Sequence, residues 1–368
     1  MSVAKKKTLD LSTENPMLLQ GKGVVSLLEN SNGYDVERYP WAFSAWKRQQ
    51  QIHWMGEEVP LGEDIKDWNG TRLSEQERNL LTQIFRLFTQ SDIEVSDNYF
   101  KRYIPIFQPL EIQMMMAAFT NMETIHIDAY ALLLKTIGMP KTEFQAFREY
   151  DSMRQKVDYM HSFGTSTCAD VARTLAMFGA FTEGMSLFAS FAMLMNFPRF
   201  NKMKGMGQIV SWSVRDESLH CESVIRLYHE WALETGSVTK AVEDDIVDVG
   251  TTMVGLEDKF IDLAFEMGAI EGMAPDDIKN YIRYICDWRL TQLKLTPVYG
   301  YFIGKSGEYT QQKEHPLPWL STILNGVEHA NFFEARSTEY SKAATQGDWH
   351  GEGGVWALFQ KIEQRRAV

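Results

Sequence analysis

The chain has 368 residues, with 37 Lys and Arg against 49 Asp and Glu and a formal charge of -12, a balance that argues against an extended nucleic-acid surface. Hydrophobic residues at 44% and charged residues at 23% are those of an ordinary globular protein, long enough for one large domain or two modest ones. Three scattered cysteines, Cys168, Cys221 and Cys286, form no CxxC pair, which excludes a zinc knuckle or disulfide framework and suggests a reducing compartment.

In chain order, residues 1–35 read as a loosely ordered segment carrying Gly21, Gly23, Asn30, Asn32 and Gly33. The basic start MSVAKKK has no apolar run behind it, so no signal peptide is expected. The aromatic stretch RYPWAFSAWKRQQQIHWMGEEV, which contains Trp54, is expected to be helical after Pro40. Ser74 with Glu77 three residues on forms a capping box. Leu81, Ile84, Phe88, Asp92 and Val95 then recur at helical spacing, which puts Asp92 on an apolar stripe and points Glu94 elsewhere. A helix is expected over 110–137, with Phe119, Glu123, His126, Tyr130 and Leu134 along its inward line and Gly138 and Pro140 at its end. Further helices are expected over 168–196 and 207–234, and 240–295 is mostly helical. Pro297, Gly300 and Gly304 mark a change in character. After Glu339 the glycines at 347, 351, 353 and 354 suggest a mobile tail.

The most apolar run, TLAMFGAFTEGMSLFASFAMLMNFP, is long enough for a membrane span but carries Glu183. In lipid that carboxylate is costly, whereas in a bundle core it is expected if it binds metal. A buried core helix is the better reading, and no membrane contact is expected.

Two copies of one pattern carry the chemistry: Glu123-Thr-Ile-His126 and Glu217-Ser-Leu-His220. Residues three apart share a helix face, so each carboxylate–imidazole pair can grip one metal ion. A lone copy is more often a surface pair, and a lone Asp92 is more often a cap or ion-pair partner. Glu183 is the hardest to explain otherwise, because an unpaired charge in so apolar a helix is costly. Asp92, Glu123, His126, Glu183, Glu217 and His220 together make an oxygen-rich shell suited to two iron or manganese ions in an all-α, ferritin-like helical bundle. Four carboxylates would nearly neutralise two divalent ions, about 3.5–4 Å apart.

Tyr130 follows His126 by four residues, on the same face. It can be an oxidisable tyrosine beside the metals or a core tyrosine hydrogen-bonded to a carboxylate such as Asp92. Asp216, just before Glu217, can accept the free ring N–H of His126. Trp54 can approach that pair or be an ordinary core tryptophan.

At these residues the chain resembles the small, radical-generating subunit of class I ribonucleotide reductase, above all the bacterial class Ia type. The matching stretches are FTQSDIEV, METIHIDAY, FTEGMSLFASF, VRDESLH, IHWMGEEV and NFFEARSTEY, spread over about 35–340. The resemblance implies Asp92, Glu123 and His126 on one metal and Glu183, Glu217 and His220 on the other. It further implies a radical at Tyr130, transfer through Trp54, Asp216 and His126, and a relay at Tyr340 on a tail that docks on a large subunit. That subunit binds the ribonucleoside diphosphate, and its cysteine receives the oxidising equivalent.

The expected organisation is an N-terminal segment (1–35), a dimetal domain (36–338) and a C-terminal tail (339–368). The expected setting is a cytoplasmic homodimer activated by molecular oxygen, with a di-iron-oxo centre. One alternative keeps the task with two manganese ions and an unoxidised Tyr130. A di-iron oxygenase or desaturase would use the same bundle on a bound organic substrate, against which Trp54, Asp216 and Tyr340 favour radical export; a ferritin-like storage protein fits poorly with a 368-residue chain and its long Gly-containing tail. Leu187 stands where the family often has an aromatic, Ser213 replaces an aliphatic neighbour, and the tail ends GGVWALFQKIEQRRAV where several relatives are acidic.

Overall fold

A computed structural model describes residues 26–31, 33, 38–320, 322 and 323. The chain divides into two units, 1–316 and 317–368. In the second, residues 318–320, 322 and 323 are helical. Tyr340 and the expected tail lie outside the described residues, as do residues 1–25.

The first unit is built of helices. Helix α1 (Pro40–Gln51) begins on proline, whose fixed φ suits a first helical turn. Helix α2 (Gly62–Asn69) is short. Helix α3 (Glu75–Asn98) starts at the Ser74–Glu77 capping box and runs on as a π turn over Tyr99–Tyr103. Helix α4 (Leu110–Ile137) stops at Gly138, whose φ of 83° ends the helix as only a residue without a side chain does readily. A 3₁₀ segment (Lys141–Glu149) leads to α5 (Asp151–His161).

Helix α6 (Cys168–Leu175) continues through a π segment (Ala176–Ser186) into α7 (Leu187–Arg199). By length and composition this run could cross a membrane, yet its apolar window is wholly buried inside the protein. Helices α8 (Lys204–Thr235), α9 (Lys240–Ala264) and α10 (Pro275–Gln292) follow. Strands β1 (Phe302–Lys305) and β2 (Glu308–Gln311) close an antiparallel hairpin, pairing Phe302 with Gln311 and Lys305 with Glu308.

Helix α4 packs against α1, α3 and α8, while the π segment packs against α8, α9 and α10. The core between them holds the site. Helix α8 starts three residues earlier than its local pattern indicates. The reason is a cap supplied from α2: Asp64 accepts the N–H groups of Gly205 (2.9 Å) and Met206 (2.8 Å), and Asp67 accepts that of Met203 (2.8 Å). The two π stretches were also invisible to a 3.6-residue period. Such insertions shift the phase of a helix and recur at functional sites.

Candidate metal centre

Three helical stretches aim carboxylates and imidazoles at one buried point: Glu123 and His126 come from α4, Glu217 and His220 from α8 and Glu183 from the π segment. Asp92, on α3, is buried near them and feels the charges of Glu123, His126 and Glu217, but makes no direct contact with the cluster among the described residues. Ligand atoms of Glu123, Glu183, Glu217 and His220 all lie within 4.8 Å of one another. His220 Nδ1 is 3.1 Å from Glu123 Oε1, 3.5 Å from Glu217 Oε2 and 3.6 Å from Glu183 Oε2. His126 Nδ1 is 3.2 Å from Glu217 Oε1 and 3.5 Å from Glu123 Oε2. Both histidines thus turn Nδ1 inward.

The charges respond to this crowding. Burial, reinforced by Glu123 and Glu217, holds the Asp92 carboxyl well above its usual range. Burial pushes Glu183 up to about 8, against the pull of His220. Burial also works on Glu123, but contacts with His126 and His220 outweigh it and bring that carboxyl below its usual range. Both imidazoles are raised well above their ordinary value, since their carboxylate partners overcome the burial that opposes their charge.

These residues fit a metal pair. Both carboxylate oxygens of Glu123, Oε2 of Glu217 and Nδ1 of His220 are buried without a hydrogen-bond partner. Inward oxygen and nitrogen atoms left unsatisfied are costly unless an ion takes them. The donor set is that of iron or manganese.

The outward ring nitrogens are tied into one network. His126 Nε2 is 3.2 Å from Asp216 Oδ2, and Trp54 Nε1–H donates to the same oxygen at 2.7 Å. His220 Nε2–H donates to Gln49 Oε1 at 3.1 Å, and the Gln49 amide donates to Asp216 Oδ1 at 3.2 Å. Gln49 escaped the sequence reading because its role depends on α1 meeting α8. Trp54 is held there by a close approach: a Cβ on Gly56 would lie 2.9 Å from Ala129 Cα of α4.

Tyr130 is buried against Phe88, with ring centroids 5.0 Å apart, and Phe88 in turn meets Phe191. Its hydroxyl donates to Ser213 Oγ at 3.3 Å rather than to Asp92. A cavity of about 370 Å³ between α3, α4 and the 3₁₀ segment is lined by Tyr130, Asp92, Phe88, Ile127 and Phe147, with Gln145 and Arg148 among the polar groups. Glu94 faces away and pairs with His161.

On the other side of the cluster, Tyr99 donates its hydroxyl to Glu183, 2.9 Å from Oε2 and 3.1 Å from Oε1. The signal for it was available: Tyr99 is the next step of the stripe through Phe88, Asp92 and Val95. The π segment bearing Glu183 is pinned by Arg289, whose Nε–H donates to the Gly184 carbonyl at 2.7 Å.

A helical bundle with a buried carboxylate–imidazole cluster is the ferritin-like dimetal-carboxylate class. The family model for ribonucleotide reductase, small chain, matches residues 34–302, and the chain belongs to that family. It is 36% identical over 361 residues to a probable ribonucleoside-diphosphate reductase small subunit of Invertebrate iridescent virus 6, covering 88% of this chain and 98% of that one. The ribonucleotide reductase R2 subunit from Clostridium botulinum superposes with a TM-score of 0.71 at 21% identity, over 80% of this chain and 92% of that one. A dimanganese(II) NrdF of Streptococcus sanguinis gives 0.63 at 17% identity, over 73% and 94%. Membership of a small-chain family implies a large-subunit partner.

Proposed function

We propose that this small subunit takes up two metal ions at Asp92, Glu123, His126, Glu183, Glu217 and His220, and that Tyr130 stores the oxidising equivalent they generate. The ions, iron or manganese, would supply oxygen activation. The chain's own residues do the rest. The carboxylates would hold the ions in a buried core, and Phe88, backed by Phe191, packs edge-on against the Tyr130 ring. Trp54, Asp216 and His126 form a continuous hydrogen-bonded path away from the cluster, and Tyr340 would carry the equivalent onward to a cysteine of the large subunit. A cytoplasmic homodimer whose C-terminal tail docks on that subunit completes the reading.

The observation that carries it is the joining of the buried cluster to Trp54 through one carboxylate, Asp216. The cavity beside Tyr130 is what an oxygenase or desaturase would need, and that second reading requires oxidation of a bound organic molecule without a large subunit. The test is to load the protein with iron or manganese, admit oxygen, and add a class I large subunit with a ribonucleoside diphosphate. Two ions per chain and deoxyribonucleotide formation are expected. A fully loaded protein that supports no reduction overturns the reading. Electron paramagnetic resonance on the same samples separates a tyrosyl radical from a dimanganese store.

A further inference from the structure

The π segment that carries Glu183 is held in its register by partners elsewhere in the chain. Its bonds reach five residues back: the Leu187 N–H donates to the Thr182 carbonyl, and the Thr182 hydroxyl donates to the Met177 carbonyl at 3.1 Å. Two glycines five residues apart press on α8. A Cβ on Gly179 would lie 2.4 Å from Val224 Cγ1, and one on Gly184 would lie 2.5 Å from Cys221 Sγ. Val224 and Cys221 share one face of α8, being three residues apart. On an α-helix, residues five apart point about 140° away from each other, so an α register could not lay both glycines on that face.

Arg289 of α10 supplies a further hold. It is 3% exposed, and among the described residues no carboxylate pairs with it. Its guanidinium lies over the rings of Phe188 (5.3 Å) and Trp288 (4.6 Å). Its Nη1–H donates to Gln292 Oε1 at 2.7 Å, and its Nε–H donates to the Gly184 carbonyl at 2.7 Å. A buried cation without a counter-ion is a poor source of stability. What it adds is one donor, aimed at the residue next to Glu183. We propose that Arg289 is a positioning residue: through the Gly184 carbonyl it holds residues 176–186 in the π register that aims Glu183 at the cluster. Without that donor the Leu187 N–H pairs with the Glu183 carbonyl, its α-helical partner. Relative to α7, Glu183 then moves by one position, about 100° around the axis, to where Thr182 now sits. Its carboxyl leaves His220. The consequence for ion uptake rests on the metal-binding reading above, whereas the hold on the register does not.

The experiment compares Arg289→Met with Arg289→Gln in the metal-free, full-length protein. Both changes remove the charge and keep a chain as long as Arg289 up to Nε. Glutamine has an N–H at that position and methionine a methyl group. Hydrogen–deuterium exchange follows the Leu187 amide, and crystal structures read its partner. In Arg289→Met, exchange about tenfold faster than in the unaltered protein is expected, with Leu187 paired to Glu183 and the Glu183 carboxyl turned from His220. In Arg289→Gln, exchange should stay within about threefold and the Thr182 pairing should remain. A folded Arg289→Met protein that keeps the Thr182 pairing overturns the proposal, as does an Arg289→Gln protein that loses it. Should Arg289→Met not fold, Arg289→Gln alone decides by the same criterion. Manganese titration followed by electron paramagnetic resonance then reads the site. Two coupled ions per chain are expected in the unaltered protein and in Arg289→Gln, and a single uncoupled ion in Arg289→Met. Two coupled ions in Arg289→Met overturn the positioning role. Unaltered protein that takes up no manganese overturns the metal-binding reading instead, and exchange and pairing still decide the hold on the register.

Discussion

The two sides of the metal cluster are built from the same four-residue pattern and yet differ in almost everything around it. On the α3–α4 side, Asp92 lines a cavity of about 370 Å³ together with Tyr130, whose hydroxyl ends on that of Ser213. On the π segment–α8 side, Glu183, Glu217 and His220 are sealed, a second tyrosine ends on a carboxylate, and Arg289 clamps the backbone one residue beyond a ligand. Charge follows the same division. Glu123 has two imidazoles to hold its negative charge, while Glu183 has one and a phenol, so burial dominates there. A duplicated motif therefore places donors alike, but the surroundings differ: one side borders a cavity at Asp92, and the other is bonded to Tyr99 and Arg289.

The largest test of this contrast is ion count. Glu217 lies within 3.5 Å of both imidazoles, so Glu217→Ala should leave almost no bound metal, whereas Asp92→Ala should retain the ion on the sealed side. Elemental analysis after gel filtration reads both. Equal losses would erase the distinction between the sides. A second test uses pH. Metal-free Glu183 keeps its proton up to about pH 8, and both histidines are raised, so an ion must displace protons to bind. Affinity should fall as pH drops below 8, by about tenfold per unit for each proton released. Calorimetric titration in buffers of different ionisation enthalpy counts those protons, and a flat affinity from pH 8 to 6 would contradict the charge assignment. The smallest effect is expected at Gly184. A Cβ there would lie 2.5 Å from Cys221 Sγ and 2.7 Å from Arg289 Nε. Gly184→Ala should cost about 1–3 kcal/mol in denaturant unfolding and weaken ion binding on the sealed side first.

Much of this was legible in the sequence because helical spacing is local. The inward line of α4, the capping box at Ser74 and the two Glu-x-x-His faces need only a 3.6-residue repeat to be drawn. Glu183 announced itself by its cost in an apolar run. What escaped shares a different origin. Gln49 acquires meaning only when α1 meets α8, 171 residues away. The early start of α8 depends on carboxylates from α2. Arg289 reaches the Gly184 carbonyl across 105 residues, and no periodicity links them. Tyr99 is the exception, since continuing the α3 stripe by one step would have found it.

The cap on α8 has a consequence for how the protein is made. Asp64 and Asp67, which finish the first turn of that helix, lie within the same N-terminal stretch as Gln49 and Trp54. The helix that carries two ligands therefore cannot complete its first turn by local contacts alone. Contacts spanning more than a hundred residues form late, because the entropy of closing so long a loop must be overcome first. The first turn of α8 and the early segment that bears Gln49 and Trp54 are thereby ordered together.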